Sequence, residues 1–183
     1  MKKRLPIALF IFLALIQLAW VIMPVLKREY ILRTGTAFKF RLEPVDPYDA
    51  FAGRYLEFSY ALERTAPEFA SLGKDLEDAS WANVHFVTDA DGFAAIDKIT
   101  AAKPKDQNYV RIRYHDAPGI RLPFNRYYID EDQAPAAEKA WAAARRIGGI
   151  SAYALVRIRS GQSVIENLYL DGMPLPDYLR KAH

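Results

Sequence analysis

An antiparallel β domain, sandwich or barrel-like, with one short surface helix and standing behind an N-terminal transmembrane helix, is the architecture this sequence predicts. Three observations predict it. Residues 5–26 read "LPIALFIFLALIQLAWVIMPVL", with no charge and with Gln17 as the single strongly polar side chain. Beyond them, short stretches alternate apolar and polar side chains with period two between turn-forming residues, the pattern of half-buried strands. Only one later stretch, residues 135–146, is composed almost wholly of helix formers.

A bilayer core about 30 Å thick is crossed by roughly 20 residues of helix, so residues 5–26 predict a membrane span. Lys2, Lys3 and Arg4 ahead of an apolar run also fit a secretory leader. The run exceeds the roughly 7–15 apolar residues of such a leader, and no small-x-small cleavage pattern surrounds Ala19, so an uncleaved anchor is expected. Trp20 and Tyr30 suit the far interface, and Pro24 is expected in the last turn, where a helix end costs little. The basic cluster before the run, against Lys27 and Arg28 after it, predicts an N-in, C-out orientation. The expected organisation is a cytoplasmic tip (1–4), a transmembrane helix (5–26), a juxtamembrane segment (27–37) and an extracytoplasmic β-rich domain (38–183), periplasmic in a Gram-negative bacterium.

The 183 residues, 51% hydrophobic, suffice for one domain with a sizeable core. With no cysteine, disulfides and thiol chemistry are excluded. Three of the 25 Lys+Arg precede the apolar run, so the rest of the chain balances its basic residues against 22 Asp+Glu. Nucleic-acid binding, which needs a basic face to displace counterions, is not supported.

"AFKFRL" alternates strictly, with Phe38, Phe40 and Leu42 on one side and Lys39 and Arg41 on the other. "EPVDPYD" supplies residues that stop a strand and turn it, and "DAFAG" could form one helical turn between Asp49 and Gly53. From Arg54 alternation resumes: Leu56, Phe58, Tyr60 and Leu62 share one face, and Tyr55, of the opposite parity, faces outward or precedes a bulge. If this strand pairs with residues 38–42, Glu57 lies near Lys39 or Arg41. Residues 63–82 are open between loop and short helix. "VHFVTDADGFAAIDKI" predicts a hairpin turning at Asp91-Gly92. "YVRIRY", "IRLPFNRYYI", "AYALVRIRS" and "VIENLYL" are four further strands, the last two joined by a turn at Ser160-Gly161. "PAAEKAWAAARR" predicts a surface helix ending at Gly148-Gly149, its thin apolar stripe formed by Trp141 with Ala137, Ala140 and Ala144.

Chemistry is sparse. No nucleophile elbow, P-loop, zinc-helix or dinucleotide motif is present, so neither a cofactor nor a metal is expected. His85, His115 and His183 are scattered, and His85 is expected to be an ordinary surface or edge histidine. "DADG" at 89–92 resembles half a calcium loop but serves as a hairpin turn. Ser71 and Lys74 fit the S-x-x-K spacing of lysine-assisted serine enzymes without their other motifs. Asp46 and Asp49 could bind a cation or a basic group, although an Asp before Pro and an Asp at a helix cap do that structural work without a ligand. Arg126, Tyr127, Tyr128, Asp130 and Glu131 form a polar-aromatic cluster that leads into the helix.

"DPYDAFAGRYLEFSY" resembles the signature of the GDYXXLXY family of membrane-anchored bacterial proteins. Gly53, Tyr55 and Tyr60 match it, Phe58 stands for its leucine and Arg54 for its aspartate. "RYYIDEDQAPAAE" is similar to that family's second recurring segment. The resemblance assigns no activity. It implies a partner, since such proteins are often encoded beside polytopic membrane proteins, and Arg54 makes a metal site at the motif less attractive.

The expectation from these readings is a membrane-tethered binding or interaction module that touches lipid through residues 5–26 and acts with a membrane-protein partner. Its candidate binding residues are Asp46, Asp49, Gly53, Arg54, Tyr55, Arg126, Tyr128 and Glu131. The alternative is a tethered hydrolase that draws on carboxylates of the 46–55 turn and the 126–131 strand, and it requires the two segments to share a cleft.

Overall fold

A computed structural model describes residues 4–43, 55–65, 80–113, 120–147 and 151–181. Helix α1 spans Arg4–Thr34 and passes through Pro24 without ending. The proline was expected in the last turn, yet ten more helical residues follow it. They continue because Ile31, 5% exposed, packs onto the sheet. At 1.5 Å per residue, residues 27–34 carry the helix about 12 Å past the apolar run. The helix is long and apolar enough to cross a membrane.

Among the described residues ten strands and three further helices follow: β1 Thr36–Glu43, β2 Tyr55–Glu57, β3 Ser59–Tyr60, α2 Ala61–Thr65, β4 Trp81–Thr88, β5 Ala94–Thr100, β6 Tyr109–Arg113, β7 Arg126–Tyr128, α3 Ala134–Ile147, β8 Ala152–Arg159, β9 Gln162–Leu170, β10 Met173–Pro174 and α4 Leu175–Lys181. They form a five-stranded sheet ordered β10-β9-β8-β1-β3, a three-stranded sheet β5-β4-β6 and the pair β2-β7, and every ladder is antiparallel. Among the described residues no barrel closes. The two larger sheets meet where Phe40 stands edge-on to Phe86 at 5.2 Å, and Phe40 also stands edge-on to Phe124 at 5.0 Å and to Tyr60 of its own sheet at 5.4 Å. Such pairs contribute about 0.5–1.5 kcal/mol each beyond their burial.

Phe38, Phe40, Leu56, Phe58 and Tyr60 are all buried, as the alternation requires. The stretch from Tyr55 is nevertheless not one strand. It breaks at Phe58, β2 pairs with β7 and only β3 pairs with β1, Leu42 lying opposite Tyr60. The chain then turns into α2, where alternation predicted strand as far as Leu62. Residues 120–125, expected as strand, bury Ile120, Leu122 and Phe124 but have no ladder. Their polar groups go elsewhere: the Leu122 N–H donates to Glu63 Oε1 at 2.6 Å, the Phe124 carbonyl accepts from the Tyr60 hydroxyl at 2.7 Å, and the Asn125 carbonyl accepts from the Phe58 N–H at 3.1 Å. Pro123 in their midst has no N–H to give a ladder.

Both predicted hairpins form. Gly92 takes φ +83° after Asp89, whose Oδ1 accepts from the Asp91 and Phe93 N–H groups. Ser160 and Gly161 have φ of 47° and 86°, which suits the right-handed twist of β8 and β9. In β9 a bulge sets Leu155 opposite Asn167 and Val156 opposite Ile165. The skipped Glu166 shifts the inward phase from Ile165 to Leu168 and Leu170. Helix α3 lays Ala137, Ala140 and Trp141 on the core as its stripe predicts. The C-terminal β10 and α4 were not anticipated, although Asp171-Gly172 is a hairpin signal. The 44–54 turn, Ser71 and Lys74, His115, Gly148-Gly149 and His183 lie outside the described residues.

The junction of helix and sheet is tight. Arg159 Nη1 donates to the Thr34 carbonyl at 2.9 Å and Arg157 Nη1 to the Gly35 carbonyl at 3.3 Å, satisfying acceptors that a helix end leaves open. The Arg159 guanidinium also covers the Tyr30 ring at 5.1 Å. A Cβ on Gly35 would stand 2.6 Å from the Ile31 carbonyl oxygen and 3.1 Å from that of Ile158. Both are backbone atoms, so Gly35→Ala must push the helix off β8. The expected cost is about 1–3 kcal/mol, read as a lowered melting temperature of the full chain in detergent; an unchanged melt would contradict this account of the junction.

Glu63 accepts from two backbone amides, Leu122 and Tyr60, and burial pushes its carboxyl above the ordinary value of 4.5, against the opposing pull of those hydrogen bonds and of Arg121. The folded state therefore holds this proton more tightly than the unfolded state. The stabilisation is complete below pH 4.5 and is lost as pH rises through the raised folded value. Glu63→Gln cannot ionise, so its melting temperature should fall less than that of the wild type as pH is raised from 4.5 to neutrality; parallel profiles would refute the assignment.

Candidate functional site

The β2-β7 ladder joins the two segments that the sequence singled out. Tyr55 lies opposite Tyr128, Leu56 opposite Tyr127 and Glu57 opposite Arg126. Leu56 points into the core, so Tyr55 and Glu57 stand on the other face, as their parity requires. There the Tyr55 and Tyr128 rings lie 5.8 Å apart, and the Arg126 guanidinium covers the Tyr55 ring at 5.0 Å. Glu57 is drawn in from beside them. Its Oε1 accepts from Asn125 Nδ2 at 3.0 Å and lies 3.7 Å from Arg126. Glu57 was expected beside Lys39 or Arg41, but the switch of β2 from β1 to β7 takes it to Arg126 instead.

Tyr128 is 69% exposed, a surface aromatic paired with Tyr55. A tyrosine pair with a guanidinium over one of its rings suits recognition of a partner surface, to which aromatic and Arg side chains contribute most. Asp46, Asp49, Gly53 and Arg54 lie outside the described residues. Glu131 is exposed in the turn that leads into α3, where the Gln133 and Ala134 N–H groups donate to the Asp130 carbonyl. The carboxylate that the ladder brings to Arg126 is thus Glu57, already engaged.

Beside this patch is a cleft of about 680 Å³ between α1 and strands β7 and β9. Arg126, Tyr127 and Tyr128 line it together with Pro24, Lys27 and Arg28 from the helix, and Arg111 from β6 reaches it too. The Tyr127 hydroxyl donates to Asn167 Oδ1 at 3.2 Å. Burial pushes this phenol up, while the nearby Arg28 pulls it back and Asp130 adds to the rise. Sequence reasoning had used Lys27 and Arg28 only for orientation. The available signal was their place directly after the apolar run.

His85 corrects its sequence reading. It is 4% exposed, because β4 is the central strand of its sheet and residues 100–108 cover its polar face. Its Nδ1 lies 3.0 Å from Asp106 Oδ2 and its Nε2 3.3 Å from Thr100 Oγ1. Asn83 beside it donates to the carbonyls of Thr100, Ala101 and Ala102. This is a satisfied structural network. The two carboxylates of the "DADG" turn are likewise occupied, Asp89 by backbone amides and Asp91 by Arg41 at 2.9 Å. Among the described residues no three His, Cys, Asp or Glu side chains gather as a metal site.

Comparison with curated proteins and with solved structures gives no match. The family model described as "GDYXXLXY protein" matches residues 17–168, from the second half of the apolar run through most of β9, and so includes both segments that meet in the β2-β7 pair. The chain belongs to the GDYXXLXY protein family.

Proposed function

We propose that this protein is a membrane-tethered binding module of the bacterial cell envelope. The domain stands on the periplasmic side of the inner membrane, with the N-terminus inside, and acts with a membrane-protein partner through the Tyr55–Arg126–Tyr128 patch. The observation that supports the reading is that Arg126 and Tyr128 line the same cleft as Pro24, Lys27 and Arg28 of the apolar helix. A surface held this close to an anchor meets partners in or on the membrane before any soluble one. Tethering also raises the effective concentration of such a partner, so a small aromatic patch is enough.

Orientation has a test free of background, because the chain has no cysteine. A cysteine placed at exposed Lys98 should react with a membrane-impermeant maleimide in intact spheroplasts; protection until lysis would reverse the orientation. For the partner, a photoreactive benzophenone side chain at position 128 should cross-link an integral membrane protein in cells. Tyr55→Ala should weaken co-purification of that protein from mild detergent by roughly 30-fold, the effect of losing an aromatic hot spot of about 2 kcal/mol. If only soluble proteins or lipid are cross-linked, the protein-partner reading fails.

A further inference from the structure

We propose that the cleft between α1 and strands β7 and β9 binds the phosphate of an anionic phospholipid from the outer-facing leaflet of the membrane that the helix crosses. The proposal rests on the anchor reading above but not on the protein partner.

Charge carries the argument. Lys27, Arg28, Arg111 and Arg126 all line one cleft of about 680 Å³. Among the described residues of the lining the one carboxylate, Glu166, is engaged by Arg157 at 2.5 Å. Arg126 has Glu57 only at 3.7 Å, and Arg111 lies over the Trp81 ring at 5.0 Å. Among the described residues no carboxylate pairs with Lys27, Arg28 or Arg111. Four like charges share one cleft beside Pro24, Ile31 and Phe124, and a bound anion would offset their mutual repulsion. Guanidinium groups are planar forks that match phosphate oxygens two at a time.

Height along the helix selects the source of that anion. Pro24 belongs to the apolar run, and Lys27 is the first charge after it. Pro24 and Lys27 are separated by about 4.5 Å of rise, so one cleft wall passes from hydrocarbon level to headgroup level. A phospholipid can therefore put its phosphate among the cations while its glycerol and upper acyl chain remain beside Pro24. Tyr127 and Tyr128 supply the amphipathic rings favoured at that depth. A soluble phosphate would meet the same cations without using the apolar wall.

The experiment uses the full chain in nonionic detergent, with bound lipid counted by native mass spectrometry. Phosphatidylglycerol should be retained at least tenfold better than phosphatidylcholine. Each cation removed should weaken retention by about fivefold, so Arg28→Gln with Arg126→Gln should bring phosphatidylglycerol close to the phosphatidylcholine level. Lys98→Gln, remote from the cleft, should change nothing. Should the double variant fail to fold, Lys27→Gln on an exposed helix position carries the single-cation expectation. Equal retention of the two lipids, or unchanged retention in the cleft variants, overturns the proposal. Displacement of phosphatidylglycerol by millimolar inorganic phosphate also overturns it, assigning the site to a soluble anion. Loss of the membrane-protein cross-link at position 128 leaves the lipid count untouched, so the two readings fail separately.

Discussion

The attachment of α1 to β8 is the constraint from which the rest follows. A flexible joint after the apolar helix would let the domain take any orientation relative to it. Here the helix runs on to Thr34, the Thr34 and Gly35 carbonyls are taken by Arg159 and Arg157, and Gly35 lets the chain pass into β1 with only its own backbone between helix and sheet. The domain is oriented by hydrogen bonds and one missing side chain. With the orientation set, particular residues of β6, β7 and β9 stand beside the helix, and both proposals rest on that adjacency.

The second determining feature is the change of partner within the family signature. Tyr55 and Tyr60 are five residues apart yet serve different sheets. Tyr60 is fully buried, its hydroxyl held by the Phe124 carbonyl and its phenol raised well above its usual pKa by burial and by Glu63. Tyr55 remains half-exposed beside Tyr128. Phe58, between the two strands, bonds through its amide to Asn125, so the segment that receives Tyr60 is also the one that leads into β7. The signature's aromatics thus have separate duties, one a core pillar and one part of a surface patch.

A second cationic and aromatic surface lies on the outer face of the five-stranded sheet. There Tyr153 stacks on Tyr169 at 4.7 Å, Lys39 lies over Tyr153 and Arg41 over Phe93. These contacts account for the outward residues of β1 that alternation had assigned to solvent. They pair with one another across the strands, and Arg41 is further tied to Asp91.

Sequence periodicity determined much of this protein by itself. Charge-free length specified the helix, two-residue alternation specified which side chains of β1 and β8 are buried, and Asp-Gly and Ser-Gly pairs specified the turns, because each of these depends on neighbours only a few residues away. Tertiary structure alone decided that the strand from Tyr55 would break at Phe58, that Glu57 would meet Arg126, that His85 would be covered, and that Lys27 and Arg28 would share a cleft with Arg111 and Arg126. Those outcomes depend on which distant segment supplies the hydrogen-bonding partner. Alternation gives the parity of a strand but is silent about the strand beside it, and charges separated by about a hundred positions carry no local mark of their meeting.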